Sequence, residues 1–172
     1  VVGISGIELE VALDTVEFTT PVDFVFTTSS APGGLRSWFG QDDVTFDAVD
    51  AARIPGIAAG QEATFSQVGL TTEPLKVTFR WKADTSSAGN YLYFGLGGVE
   101  VNSADSRISG TTGWEEVTHI VPPNSKMSWT YVQTDAGADD AVYVDAISAE
   151  VLTDPDLVIS SVTDYAGSYV LG

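Results

Sequence analysis

The run Leu75-Lys76-Val77-Thr78-Phe79-Arg80-Trp81-Lys82 alternates between apolar and polar side chains without a break. A period of two is the signature of a β-strand with one buried and one wet face. Leu75, Val77, Phe79 and Trp81 are therefore expected to face a core, and Lys76, Thr78, Arg80 and Lys82 to face water. Such a strand belongs to an antiparallel sheet. Met127, Trp129 and Tyr131 repeat the spacing, opposed by Ser128, Thr130 and Val132. Leu92, Phe94 and Leu96 repeat it again, which turns Tyr91 and Tyr93 outward. Helical periodicity is nearly absent. Short runs rich in Val, Thr, Phe and Tyr alternate with clusters of Gly, Asp, Ser and Pro, the pattern of an all-β sandwich or barrel. Strands are expected near 7–13, 22–27, 44–46, 63–68, 75–82, 91–95, 99–101, 116–121, 127–133 and 141–151. Gly95-Leu96-Gly97-Gly98 lies between two strand-like runs and reads as a hairpin turn.

Charge narrows the range of partners. The 172 residues carry 24 acidic and 7 basic side chains, a net charge of −17. Charged residues make up only 18% of the chain, below the quarter or so usual in globular domains, so the acidity reflects scarce Lys and Arg. Without a basic stripe the chain has no means of gripping phosphates, and nucleic acid is excluded as a natural partner. Anionic membrane surfaces are disfavoured for the same reason. No apolar run approaches the ~18–20 residues of a spanning helix, so membrane insertion is not expected.

Catalytic chemistry finds little to work with. There is no Cys, which removes disulfide, zinc-thiolate and thiol-nucleophile readings. The single His, His119, lies in the β-branched run Val117-Thr118-His119-Ile120-Val121 and reads as an ordinary strand residue. Asp and Glu are so plentiful that finding a pair of carboxylates, as a glycosidase needs, is uninformative. The chain is read as a non-enzyme.

The C-terminal end departs from the pattern. After the breaker Leu152-Thr153-Asp154-Pro155 comes the strand-like Asp156-Leu157-Val158-Ile159-Ser160-Ser161-Val162. So short a segment cannot build a core of its own. The chain divides into a sandwich over 1–153 and a strand or tail over 154–172. The tail is the stump of a following domain, an extra strand of the first, or a strand offered to another chain. For the last case, Leu157, Val158, Ile159 and Val162 are apolar enough to form a subunit interface by completing a neighbour's edge. Head-to-tail donation does not close, so it yields a filament, a homopolymer of this chain. Val1 is preceded by neither Met nor a basic leader, which fits a processed polypeptide or a trimmed piece.

Several segments together resemble a jelly-roll module, loosely similar to MAM and lectin-like sandwiches, that recurs in large secreted or surface-anchored bacterial proteins. The residues that carry it are Leu13-Asp14, Trp38-Phe39-Gly40-Gln41, Phe46-Asp47-Ala48-Val49-Asp50-Ala51-Ala52 and Phe79-Arg80-Trp81-Lys82, followed by Ile108-Ser109-Gly110, Trp114, Trp129-Thr130-Tyr131 and Asp140-Ala141-Val142-Tyr143-Val144-Asp145. The pattern departs at Val99-Glu100-Val101-Asn102, where the hairpin looks altered. Pro155-Asp156-Leu157-Val158-Ile159-Ser160-Ser161-Val162 separately resembles the opening strand of a bacterial cell-adhesion-related domain. The resemblance implies an antiparallel jelly-roll-like β-sandwich with an extra C-terminal strand, an extracellular location, and a non-catalytic role in adhesion, carbohydrate binding or matrix attachment.

Two ligand sites are expected beside the strand-exchange interface. Clustered acids in the loops of a sandwich can supply the six to eight oxygens that Ca²⁺ wants. The resembling family repeats acids at Asp47, Asp50, Asp140 and Asp145, which are the metal-ligand candidates. The alternative for these acids is a solvated surface. For sugar, Trp38, Tyr91 and Tyr93, with Trp114 and Tyr143, could offer flat faces on which pyranose rings stack, with Asn90 and Asp42 as hydrogen-bonding neighbours. Against this stands the usual fate of aromatics in a sandwich, which is the core; Trp81 and Trp129 are assigned there. The leading expectation is an extracellular structural subunit that forms filaments by strand exchange and is braced by calcium. The alternative is a carbohydrate-binding or adhesion module of a larger surface protein.

Overall fold

In the computed structural model, which describes residues 26–29, 37–67, 70–101 and 106–152, the chain forms eleven strands among those residues. They are β1 (Phe26–Ser29), β2 (Phe39–Gln41), β3 (Ala51–Pro55), β4 (Gln61–Gln67), β5 (Leu75–Asp84), β6 (Asn90–Leu96), β7 (Val99–Glu100), β8 (Arg107–Ser109), β9 (Glu115–Val121), β10 (Met127–Gln133) and β11 (Ala141–Val151). β5 carries out its sequence pattern: Leu75, Val77, Phe79, Trp81 and Ala83 are buried, and the residues between them are not. Two antiparallel sheets result. Sheet A runs β1-β4-β10-β6, with β7 and β8 both pairing with β6; sheet B runs β2-β3-β11-β5-β9. No helix occurs among the described residues. The fold is an antiparallel jelly-roll β-sandwich.

The core between the sheets is aromatic. Trp38, Phe65, Phe79, Trp81, Phe94 and Trp129 are linked by ring contacts with centroids 5.3–5.7 Å apart. Edge-to-face and tilted pairs of this kind add to the burial of large apolar area. β10 is buried on both faces: Met127, Trp129 and Tyr131 point into the sandwich, and Ser128, Thr130 and Val132 lie under their neighbours on the outer side. His119 behaves as a strand residue, its ring stacked on Phe94 at 4.8 Å and 6°.

The expected hairpin is present: Gly97 and Gly98 adopt φ of 62° and 82°, the left-handed values that a two-residue hairpin turn requires, and join β6 to β7. Four segments differ from the sequence reading. The 44–46 stretch is a bend, while 51–55, 39–41 and 107–109 are strands. Ala51-Ala52-Arg53-Ile54-Pro55 has weak intrinsic β preference, but its place between β2 and β11 supplies a hydrogen-bonding partner on each side, and pairing decides. β11 carries a bulge between Asp145 and Ser148, with Ala146 at φ 49°. The expected strand at 7–13 and the 154–172 tail fall outside the described residues.

Candidate functional site

Sheet A presents its outer face as three cross-strand rows. Thr64, Thr130, Tyr93 and Arg107 lie in register across β4, β10, β6 and β8. On one side of this row stand Ser66, Ser128 and Gly95, and on the other Glu62, Val132, Tyr91 and Ser109. Short side chains on β4 and β10 beside a tall ring on β6 leave a depression of about 270 Å³ lined by Glu62, Thr64, Ser66, Tyr93, Ser128 and Thr130, with Gly97, Gly98 and Lys126 closing one end. The floor is hydroxyl. Thr64 Oγ1 and Thr130 Oγ1 are 3.0 Å apart, and Tyr93 is hydrogen-bonded to Thr130 as well. A hydroxyl has one donor and two lone pairs, so this chain of three keeps capacity for a ligand. Burial raises the Tyr93 phenol above its ordinary value, the bond to Thr130 lowers it, and the Glu62 carboxylate, Tyr91 and Glu100 add to the rise. The phenol is thus a neutral donor and acceptor at physiological pH.

The two tyrosines read together from the sequence are not equivalent. Both are half-buried and face outward, 6.3 Å apart and tilted by 39°. Only Tyr93 lines the depression. Tyr91 carries the guanidinium of Arg107 over its ring at 3.9 Å. Glu100 locks that guanidinium by accepting from Nε at 3.0 Å and from Nη2 at 2.6 Å. Tyr91 is the support of a cation and Tyr93 the rim of the groove.

Trp38 corrects the sequence expectation. It is 0% exposed, packs on Phe65, and donates from Nε1 to the Ala63 carbonyl at 3.1 Å. A ring with no free face cannot stack on a sugar. Asn90 is also fully buried. Trp114 and Tyr143 sit on the other side of the molecule, 6.2 Å apart edge to face.

The four candidate metal ligands are not brought together as a set; only Asp47 and Asp145 are neighbours, close enough for the Asp47 charge to raise the Asp145 carboxyl and for the Asp47 amide to donate to it. Asp140 precedes β11 by one residue and Asp145 lies five residues further on, roughly 16 Å at the rise of a strand. Asp140 is 4% exposed and works as a hydrogen-bond hub. Its Oδ1 accepts from Ser86 N–H at 2.9 Å, and its Oδ2 accepts from Asn90 Nδ2 at 2.7 Å and Tyr131 Oη at 3.3 Å. Asp145 accepts from the Phe46 and Ala146 amides, each at 2.6 Å. Burial raises its carboxyl above the ordinary value, against the lowering effect of those bonds. Asp47 caps its own turn by accepting from Val49 N–H at 3.0 Å, and Asp50 is half-buried at the start of β3. Among the described residues no three of His, Asp or Glu gather as a metal site. Leu157, Val158, Ile159 and Val162 lie outside the described residues.

No family model matches the chain, and no curated protein does. Solved structures share the fold at low identity. The K1 cleaved adhesin domain of Lys-gingipain from Porphyromonas gingivalis W83 is 12% identical, over 76% of this chain and 94% of that one, with a TM-score of 0.55. The CBM22-1 xylan-binding domain of Xyn10C from Paenibacillus barcinonensis is 16% identical, over 75% and 86%, with a TM-score of 0.50. A secreted serine protease, VesC from Vibrio cholerae, is 17% identical over 66% of this chain with a TM-score of 0.48, and this chain spans only 24% of the protease. At these identities the first two likenesses speak to architecture alone, and the third is too slight for any inference.

Proposed function

We propose that the chain is a non-enzymatic carbohydrate-binding module of a secreted or cell-surface protein, in which the outer face of sheet A holds a stretch of polysaccharide against Tyr93. The groove carries this reading: a hydroxyl floor beside one half-buried phenol ring. Pyranose rings offer an apolar face to an aromatic and a belt of hydroxyls to polar side chains, and the groove supplies both. It is smaller than the ~300–1,000 Å³ of an enclosed small-molecule pocket, and an open trough suits a polymer that extends beyond it. The resemblance in fold to a xylan-binding domain and to a bacterial adhesin domain favours a binding module at the cell surface over a catalyst. Strand exchange has no comparable observation behind it among the described residues.

The test is retention in gels cast with neutral polysaccharides such as xylan or galactan. Tyr93→Ala should lose about tenfold in affinity, a difference of about 1.4 kcal/mol. Tyr91→Ala should lose less than about threefold, because Arg107 already covers that ring. Equal losses, or none at Tyr93, would overturn the assignment.

A further inference from the structure

The outer face of sheet B carries a different arrangement. Phe39, Arg53, Tyr143 and Lys82 stand in one cross-strand row over β2, β3, β11 and β5. Ring and cation alternate along it: the Arg53 guanidinium lies 5.9 Å from Phe39 and 5.6 Å from Tyr143, and the Lys82 ammonium lies 5.7 Å from Tyr143. Tyr143 is 6% exposed, braced by Trp114, and acts as a post that orients a cation on either side.

Two features separate this row from an ordinary surface. The chain has 24 acids and only 7 basic residues, yet Arg53 and Lys82, like Lys76 and Lys126, make no ion pair among the described residues, whereas Arg80 is paired with Glu116 and Arg107 with Glu100; what sets Arg53 and Lys82 apart is that they flank one ring, Tyr143. Arg53 Nε is, in addition, a buried donor with no hydrogen-bond partner, which leaves the outward N–H groups of the guanidinium as the ones a ligand would meet. The nearest buried acid on this face does not serve them, since Asp145 turns its oxygens to the Phe46 and Ala146 amides.

We propose that this row is a second ligand face, which takes a carboxylate-bearing polysaccharide, a polyuronate, with Arg53 and Lys82 each receiving a carboxylate. Arg53 and Lys82 spring from backbones two strands apart, about 9.6 Å at the usual strand spacing, a span comparable with that between carboxylates on the same side of a uronate chain. Arg53 offers the planar fork that matches a carboxylate, and Lys82 a point charge. The fixed rings limit the side-chain entropy lost on binding.

The full chain is run in native gels containing polygalacturonate or neutral xylan, and its binding to polygalacturonate is titrated calorimetrically. The double variant Arg53→Gln/Lys82→Gln should lose at least about tenfold in affinity for polygalacturonate and keep its retention by xylan. Tyr93→Ala should do the reverse, so failure of the sheet A groove and failure of this face are told apart. Should the double variant misfold by circular dichroism, Lys82→Gln alone, at the half-buried outer end of the row, replaces it with the same expected direction. No retention of the wild type by polygalacturonate, or equal retention of wild type and variant, overturns the proposal. Self-association of the chain through this face that polygalacturonate does not displace also overturns it.

Discussion

Asn90 and Asp140 are fifty residues apart in sequence and joined by a 2.7 Å hydrogen bond from amide to carboxylate, in a part of the interior where both are nearly inaccessible. Around them Asn90 Oδ1 accepts from the Thr134 and Asp135 amides. Gln133 Nε2 donates to the Asp135 and Gly137 carbonyls, and Gln133 Oε1 accepts from Ile57 N–H. Three loops at one end of the sandwich are thus tied by neutral amides and one carboxylate.

Removing the carboxylate strips acceptors from a buried amide, a buried phenol and a backbone N–H. Asp140→Ala is expected to cost about 2–3 kcal/mol of stability, read as a lower urea midpoint with an unchanged slope. A change below about 0.5 kcal/mol would show that the hub is not a stabilising element.

Tyr131 gives the hub a pH dependence. Burial first, and then the Asp140 carboxylate to which it donates, push its phenol above the ordinary value of 10.0. The unfolded chain releases this proton near that value while the folded chain keeps it. The folded state therefore binds the extra proton, and stability falls as pH rises beyond it. Tyr131→Phe should flatten the decline, by up to about 1.4 kcal/mol per pH unit, in urea midpoints measured between about pH 9 and 11. Parallel curves for variant and wild type would refute it.

Trp38 is a test of core against surface. Trp38→Phe leaves a void and removes the donor to Ala63, and is expected to cost about 2–3 kcal/mol. Polysaccharide retention of the folded variant should match that of the wild type. Loss of retention without loss of stability would return Trp38 to the ligand.

Gly56 is held by close approach. A Cβ there would collide with the Gly137 carbonyl oxygen, and its N–H donates to the Asp140 carbonyl at 2.5 Å. Gly56→Ala is expected to cost about 2 kcal/mol by forcing the 137–140 loop away, visible as a lowered melting temperature. An unaltered melt would mean that the loop moves freely.

How far the sequence discloses all this depends on the residue. β5, β6 and β10 are legible because a period-two pattern states both the strand and its buried face, and Tyr93 is read as outward for that reason. Trp38 is not legible: it sits in Ser37-Trp38-Phe39-Gly40, where no alternation decides which neighbouring ring turns inward. The groove floor is hidden differently. Thr64 and Thr130 are 66 residues apart, and only the register of β4 against β10 makes them neighbours; singly, each is an unremarkable polar strand residue. The strand that begins at Ala51-Ala52 is missed because it is imposed by its partners. The acids at Asp140 and Asp145 invite a shared ion because their spacing on a strand cannot be seen before the strand is known.

The groove of sheet A and the aromatic–cation row of sheet B lie back to back across a single layer of packed rings. Were both proposed faces to bind polymer, the molecule would act as a rivet and not as a hook, holding one chain on each side of the same packed layer.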